Sequence, residues 1–106
     1  MNEHNKNPKL LGMTGLAARA RKIITGTDIV TEKIRSGRNV EFVIIACDVS
    51  QNTLKKIVNC CEYYDVEYAQ TGFTRDELSN AIGKSCLTSS VAIIDRNFAD
   101  AIKKLV

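Results

Sequence analysis

The sequence predicts an α/β domain in which a mostly parallel or mixed sheet is sandwiched between helices. Three observations carry that prediction. Helically spaced apolar segments alternate with short β-branched ones in the order α-β-α-β-α-β-α-β-α, and such alternation builds layered sheets. Residues 40–46 form a nearly unbroken apolar run, as expected of a central strand covered on both faces. The chain has 106 residues, of which 44% are hydrophobic and 25% charged, enough for one core without staples.

Taken in order, residues 1–9 are polar, hold the only proline and read as a flexible N-terminal tail, with the domain over residues 10–106. Asn7-Pro8 also has the chemistry of a helix start, an N-cap followed by a first-turn proline. Leu10, Leu11, Leu16, Ala17 and Ala20 recur at helical intervals behind it. Gly12 and Gly15 each weaken that helix by about 1 kcal/mol relative to alanine, which is explained if a neighbouring backbone comes close. Ile23-Ile24 is a short β segment ended by Gly26.

A second helix begins at Thr27 or Asp28 and stops at Ser36-Gly37. Residues 40–46 follow as the central strand. Ser50 caps a third helix with the apolar spine Leu54, Ile57, Val58 and Cys61. Residues 66–70 alternate as a strand. Thr74 and Glu77 have the spacing of a capping box before Leu78, Ala81 and Ile82, and Gly83 ends that helix. Residues 91–94 are a last strand, and Phe98, Ala101, Ile102 and Leu105 mark a last helix.

The net charge of +3 is unevenly placed. Residues 1–40 hold eight Lys and Arg against three acids, or +5, and residues 41–106 hold seven against nine, or −2. A lopsided basic field suits a polyanionic partner. Cys47, Cys60, Cys61 and Cys86 have neither CxxC nor zinc-ligand spacing. They read as reduced, buried, inert thiols of a cytoplasmic protein. No signal peptide is expected from the polar N-terminal residues, and the longest apolar run is far too short to span a bilayer. No membrane, metal or cofactor is expected.

Enzyme chemistry finds little support. The chain lacks a GxxxxGK[ST] phosphate loop, a GxGxxG turn and a GxSxG elbow. Its one histidine, His4, lies in the tail, so no Ser–His or Cys–His pair is available. Asp48 and Asp95 follow strands, where α/β active sites often lie, but both stand where a loop or an N-cap favours Asp. No catalytic residue is expected.

Two segments look functional. Arg19, Arg21 and Lys22 lead into Gly26, which opens a helix at Thr27-Asp28. Such a helix start offers unpaired N–H groups and partial positive charge, a seat for phosphate. Lys33, Arg35 and Arg38 extend the basic character. The alternative is a solvated basic face with Asp28 as an ordinary cap. The second segment, residues 83–89, joins a helix to a strand and carries Leu87, which reads either as an exposed contact or as a tucked-in core residue.

Together these segments resemble a known family. Arg21-Lys22, Gly26 and Ile34-Arg35-Ser36-Gly37, then Val43-Ile44-Ile45-Ala46 with Asp48, then Leu78, Ala81-Ile82-Gly83-Lys84 resemble the L7Ae/L30e/S12e/Gadd45 ribosomal-protein family over residues 10–105. Ala18-Arg19-Ala20-Arg21-Lys22 and Cys61-Glu62-Tyr63-Tyr64 resemble a bacterial branch of it. The resemblance implies a three-layer αβα sandwich around a mixed four-stranded sheet, L30e-like. It also implies a non-enzymatic RNA-binding protein that recognises a kink-turn or related internal loop and associates with the ribosome.

By that resemblance Gly26 and Thr27 offer backbone amides to RNA, while Cys86, Leu87 and Thr88 lie in the loop that meets an extruded base. The implied RNA-contacting set is Arg21, Lys22, Gly26, Thr27, Asp28, Lys33, Arg38, Cys86, Leu87 and Thr88. Where typical kink-turn binders have Asn, Glu and Lys, this chain has Asp28, Ile29 and Glu32. Asp cannot donate as an amide does, and Ile cannot accept. The expectation is therefore a cytoplasmic, monomeric RNA binder with altered specificity. A protein-interaction or regulatory adaptor on the same fold is the alternative.

Overall fold

The computed structural model describes residues 6–37 and 39–106, and the predicted alternation is realised within them. Helix α1 spans Pro8–Arg19 and strand β1 Ile23–Thr25. Helix α2 spans Thr27–Arg35, strand β2 Phe42–Ile45 and helix α3 Gln51–Tyr63. Strand β3 (Tyr68–Gln70), helix α4 (Arg75–Ile82), strand β4 (Ser90–Ile93) and helix α5 (Arg96–Lys103) complete the order. Pro8 and Lys9, assigned above to the tail, are the first residues of α1. The Asn7 side chain fixes them by accepting a hydrogen bond from the Lys9 amide at 3.0 Å.

Local chemistry sets the other helix ends as well. Ser50 Oγ accepts from Thr53 N at 3.1 Å. The Thr74–Glu77 capping box is complete, with Thr74 N donating to Glu77 Oε1 at 2.9 Å and Glu77 N to Thr74 Oγ1 at 3.1 Å. That hydrogen bonding holds the Glu77 carboxyl below its usual range. Gly83 ends α4 in the left-handed region, with φ 77 and ψ 27.

The sheet order is β1-β4-β2-β3. Strand β4 runs antiparallel to both β1 and β2, and β2 pairs β3 in parallel, so the sheet is mixed. Successive side chains of a strand point to opposite faces, and β2 splits accordingly. Phe42 and Ile44 pack with Leu10, Ala17, Leu78 and Ile102 of α1, α4 and α5. Val43 and Ile45 pack with Val30, Ile34 and Ile57 of α2 and α3. The result is an αβα sandwich with a core on each face. Full burial of a residue such as Ile44 or Ile45 is worth about 1.5–3 kcal/mol.

The two glycines of α1 differ in purpose. A Cβ on Gly15 would lie 2.8 Å from the Ala81 carbonyl oxygen, so α4 approaches α1 only because that Cβ is missing. Gly12 has nothing within 4 Å of its would-be Cβ, and no close backbone explains it. Gly15→Ala is expected to lower stability by about 1–3 kcal/mol through overpacking. Gly12→Ala is expected to be neutral or to add up to about 1 kcal/mol. Denaturant midpoints of the two variants give the comparison.

Candidate nucleic-acid interface

Strands β1, β2 and β3 all end at one edge of the sheet, and each is followed by a helix. The starts of α2, α3 and α4 therefore gather at the edge where β4 begins. Hydrogen bonds fix the arrangement: Gly26 N donates to Ser90 O at 3.4 Å, Ala46 N to Ser89 O at 2.9 Å and Cys47 N to Phe73 O at 2.9 Å. Three helix N-termini at one edge concentrate partial positive charge there.

Two of these N-termini are already occupied by side chains. Ser50 caps α3, and Thr74 with Glu77 caps α4. Gly26, the N-cap of α2, has no side chain to cap with. Its φ of 95 and ψ of 134 turn the chain sharply from strand to helix, a conformation that glycine alone adopts cheaply. Gly26 O accepts from Val30 N at 2.8 Å. The amides of Thr27, Asp28 and Ile29 precede Val30 N, the first intrahelical donor, and have no partner within the helix.

One expectation changes here. The Gly26 amide is in the sheet ladder and is not available to a ligand; the amides on offer begin at Thr27. Thr27 Oγ1 lies 2.9 Å from Ser89 Oγ, which pins the α4–β4 loop to the glycine turn. At this edge Ile29 is 55% exposed and Leu87 56% exposed, which removes the tucked-in reading of Leu87. Leu87 and Ser89 also line a cleft of about 180 Å³ with Val49, Ser50, Thr53 and Arg75.

Charges at this edge are balanced. Lys56 Nζ donates to Asp28 Oδ1 at 2.6 Å, and that ion pair holds the Asp28 carboxyl below its usual range. Asp48 Oδ1 accepts from Arg75 N at 2.8 Å and lies 3.4 Å from Arg75 Nε. Asp48 is thus engaged at the start of α4, in keeping with a loop or capping role. Asp95 is the N-cap of α5, at the opposite edge, and makes no side-chain cap bond.

The structure separates cations that the sequence places beside the bend. Lys22 O accepts from Ile94 N, whereas Gly26 N reaches Ser90 at the other end of β4. Arg21 and Lys22, both exposed, therefore stand about 13 Å from the turn along β1. Lys33 lines a depression with Ile24, Asn39 and Ile94 at that far end. Strand β1 and helix α2 run in opposite senses, so α2 bridges the uncapped amides and this second, basic end. Arg38 lies outside the described residues.

The loop residues also divide. Cys86 and Leu87 are exposed, but Thr88 is 3% exposed. Its amide donates to Arg75 O and its hydroxyl to Cys86 O. Thr88 is a buried anchor of the loop and is removed from the contact set. The reading of four buried thiols holds only for Cys60 and Cys61; Cys47 is half-buried and Cys86 exposed. Burial pushes the Cys61 thiol up to about 12. Among the described residues no cluster of His, Cys, Asp or Glu could hold a metal, and no helix is long and apolar enough to cross a membrane.

Sequence reasoning missed Lys56 and Arg75, and placed Ser89 in the second segment without its contact to Thr27. The strand-then-cap pattern at Ser50 and Thr74 was the available signal, since ligands of open α/β sheets gather beyond strand ends.

Comparison with known proteins yields the following similarities. The model of the ribosomal protein L7Ae/L30e/S12e/Gadd45 family matches residues 9–103. The chain is 38% identical over 94 residues to the RNA-binding protein YlxQ of Bacillus subtilis, covering 89% of this chain and 91% of that protein. It is 36% identical to the RNA-binding protein YlxQ of Enterococcus faecium, covering 100% of this chain and 98% of that one. A protein of unknown function from Bacillus halodurans superposes with a TM-score of 0.84 at 33% identity, covering 92% of this chain and 95% of its own. The Giardia lamblia 15.5kD RNA binding protein shares the fold, with a TM-score of 0.71 at 21% identity over 93% of this chain and 88% of its own.

Proposed function

The chain belongs to the ribosomal protein L7Ae/L30e/S12e/Gadd45 family, and from that premise we propose that it binds structured RNA, a kink-turn or related internal loop, as a cytoplasmic, ribosome-associated monomer. The observation that carries this reading is the set of uncapped amides at Thr27, Asp28 and Ile29 beside exposed Leu87. The amides seat a phosphate. Leu87 packs on an unstacked base, and splayed bases are what RNA-binding proteins usually read. Arg21, Lys22 and Lys33 take the phosphates of the adjoining stem at the far end of α2. Both YlxQ relatives are named for RNA binding, and that shared name supports the same partner here.

The test is binding to a kink-turn RNA and to a plain duplex at two salt concentrations. Affinity should fall with salt, with a log–log slope of about 0.7–0.9 per neutralised phosphate. Leu87→Ser should weaken the kink-turn complex about tenfold, near 1.4 kcal/mol, and leave the duplex nearly unchanged. Co-sedimentation with ribosomal subunits tests the ribosome, and sedimentation of the free chain tests the monomer. No binding to kink-turn, duplex or ribosomal RNA would overturn the proposal.

Asp28 gives a further check. Its carboxylate opposes phosphate at the α2 start and engages Lys56. The Asp28 pKa is lowered, so the pair persists at neutral pH and is lost only as pH falls through that lowered value. Asp28→Asn should free Lys56 and tighten RNA binding severalfold at pH 7.

Exposed Ile29 and Leu87 at one edge favour a second reading, an adaptor that docks a protein there. On that reading Leu87→Ser leaves every RNA affinity unchanged.

A further inference from the structure

On the sheet face opposite α2 and α3, helices α1 and α5 leave a groove of about 690 Å³ between them. Its floor is aliphatic, made by Met13, Leu16 and Leu105, and Leu16 is 47% exposed. Lys9 and Arg19 stand on the α1 side and Lys104 on the α5 side. No acidic residue lines the groove. Among the described residues, none of these three cations is in an ion pair. Lys9 and Arg19 are ten residues apart on α1, which sets a groove length of about 15 Å, or roughly three helical turns.

We propose that this groove receives an acidic amphipathic helix of a partner protein. The aliphatic floor decides between protein and RNA. One exposed leucine, as at Leu87, suits one extruded base, but a run of unpaired bases needs aromatic rings to stack on, and no aromatic residue lines the groove. Leucine-like side chains, in contrast, fill a Met–Leu floor at i, i+3, i+4 and i+7 spacing. The cationic rim without a counter-acid selects a helix whose flanks carry Glu or Asp, and it speeds encounter with one. The groove face lies across the sheet from α2, so this partner and the RNA of the proposed function bind together, and the inference stands whether or not that RNA is correct.

The probe is a fluorescent amphipathic peptide with leucines at i, i+3, i+4 and i+7 and glutamates elsewhere. Its counterpart carries lysines in place of the glutamates. Anisotropy titrations with the full chain should show the acidic peptide binding at least about tenfold more tightly than the basic one, with the preference shrinking at high salt. Leu16→Glu and Lys104→Glu, both at solvent-facing positions, should each weaken the acidic peptide about tenfold. Unchanged unfolding midpoints and unchanged RNA affinity show that these variants remain intact. Equal binding of both peptides, or none, overturns the proposal. So does self-association abolished by Leu16→Glu, which assigns the groove to a second copy. A loss of RNA affinity in Lys104→Glu without loss of peptide binding assigns it to RNA and overturns it as well.

Discussion

Gly26→Ala is expected to cost about 1–3 kcal/mol of stability and to weaken structured RNA by about tenfold or more, the worth of one charge-assisted hydrogen bond. Space is not the cause, because the added Cβ would meet only Ile29 Cδ1 at 3.9 Å. Backbone conformation is the cause: an L side chain is strained at φ 95. Relief of that strain rotates the turn. Rotation misaligns the amides of Thr27, Asp28 and Ile29, and it pulls on the Thr27–Ser89 contact that holds the Leu87 loop. Gly83→Ala is the matched control, since Gly83 has φ 77 and an open would-be Cβ, but ends α4. It should lose stability and keep RNA affinity. If Gly26→Ala binds RNA as the unaltered chain does, the α2 amides are not the landing place.

The parts of this molecule that were legible in its sequence are the parts fixed by near neighbours. Asn7 with Pro8, Ser50, and Thr74 with Glu77 announce helix starts because a cap acts within three residues. Gly15 announced a close approach, although Gly12 carried the same signal without one. Strand ends were less legible: the apolar run over residues 40–46 was longer than β2, Phe42–Ile45. Burial continues past the ladder at Ala46, so hydrophobicity alone does not mark where pairing stops.

The candidate site was half legible for a related reason. Leu87 and Thr88 are adjacent, yet one faces solvent and the other the core; a loop has no fixed period from which to choose. Lys56 reaches Asp28 across 28 positions, and the order β1-β4-β2-β3 that permits it is a property of the assembled sheet. Arg21 and Lys22 showed the converse error. Four residues of sequence suggested contact with the bend, but those residues are an extended strand, which carries the charges to its other end.

That separation makes the double reversal Arg21→Glu with Lys22→Glu the sharpest test of how RNA lies on the domain. Two lost phosphate contacts should lower the salt slope by about 1.4–1.8. The accompanying loss of affinity at low salt should reach about 10–100-fold, for duplex and kink-turn alike, because phosphate contacts carry no sequence information. Both side chains are exposed, and Arg21 already has φ 60, so glutamate adds no new backbone strain and the fold should persist. The distance from Lys22 to the turn, about 13 Å, spans only a few base-pair steps of an A-form stem. A kink-turn RNA with its contacting stem trimmed below that length should still feel Leu87→Ser and should no longer feel the double reversal. If trimming changes nothing, the two ends of α2 do not share one RNA, and the basic end serves some other polyanion.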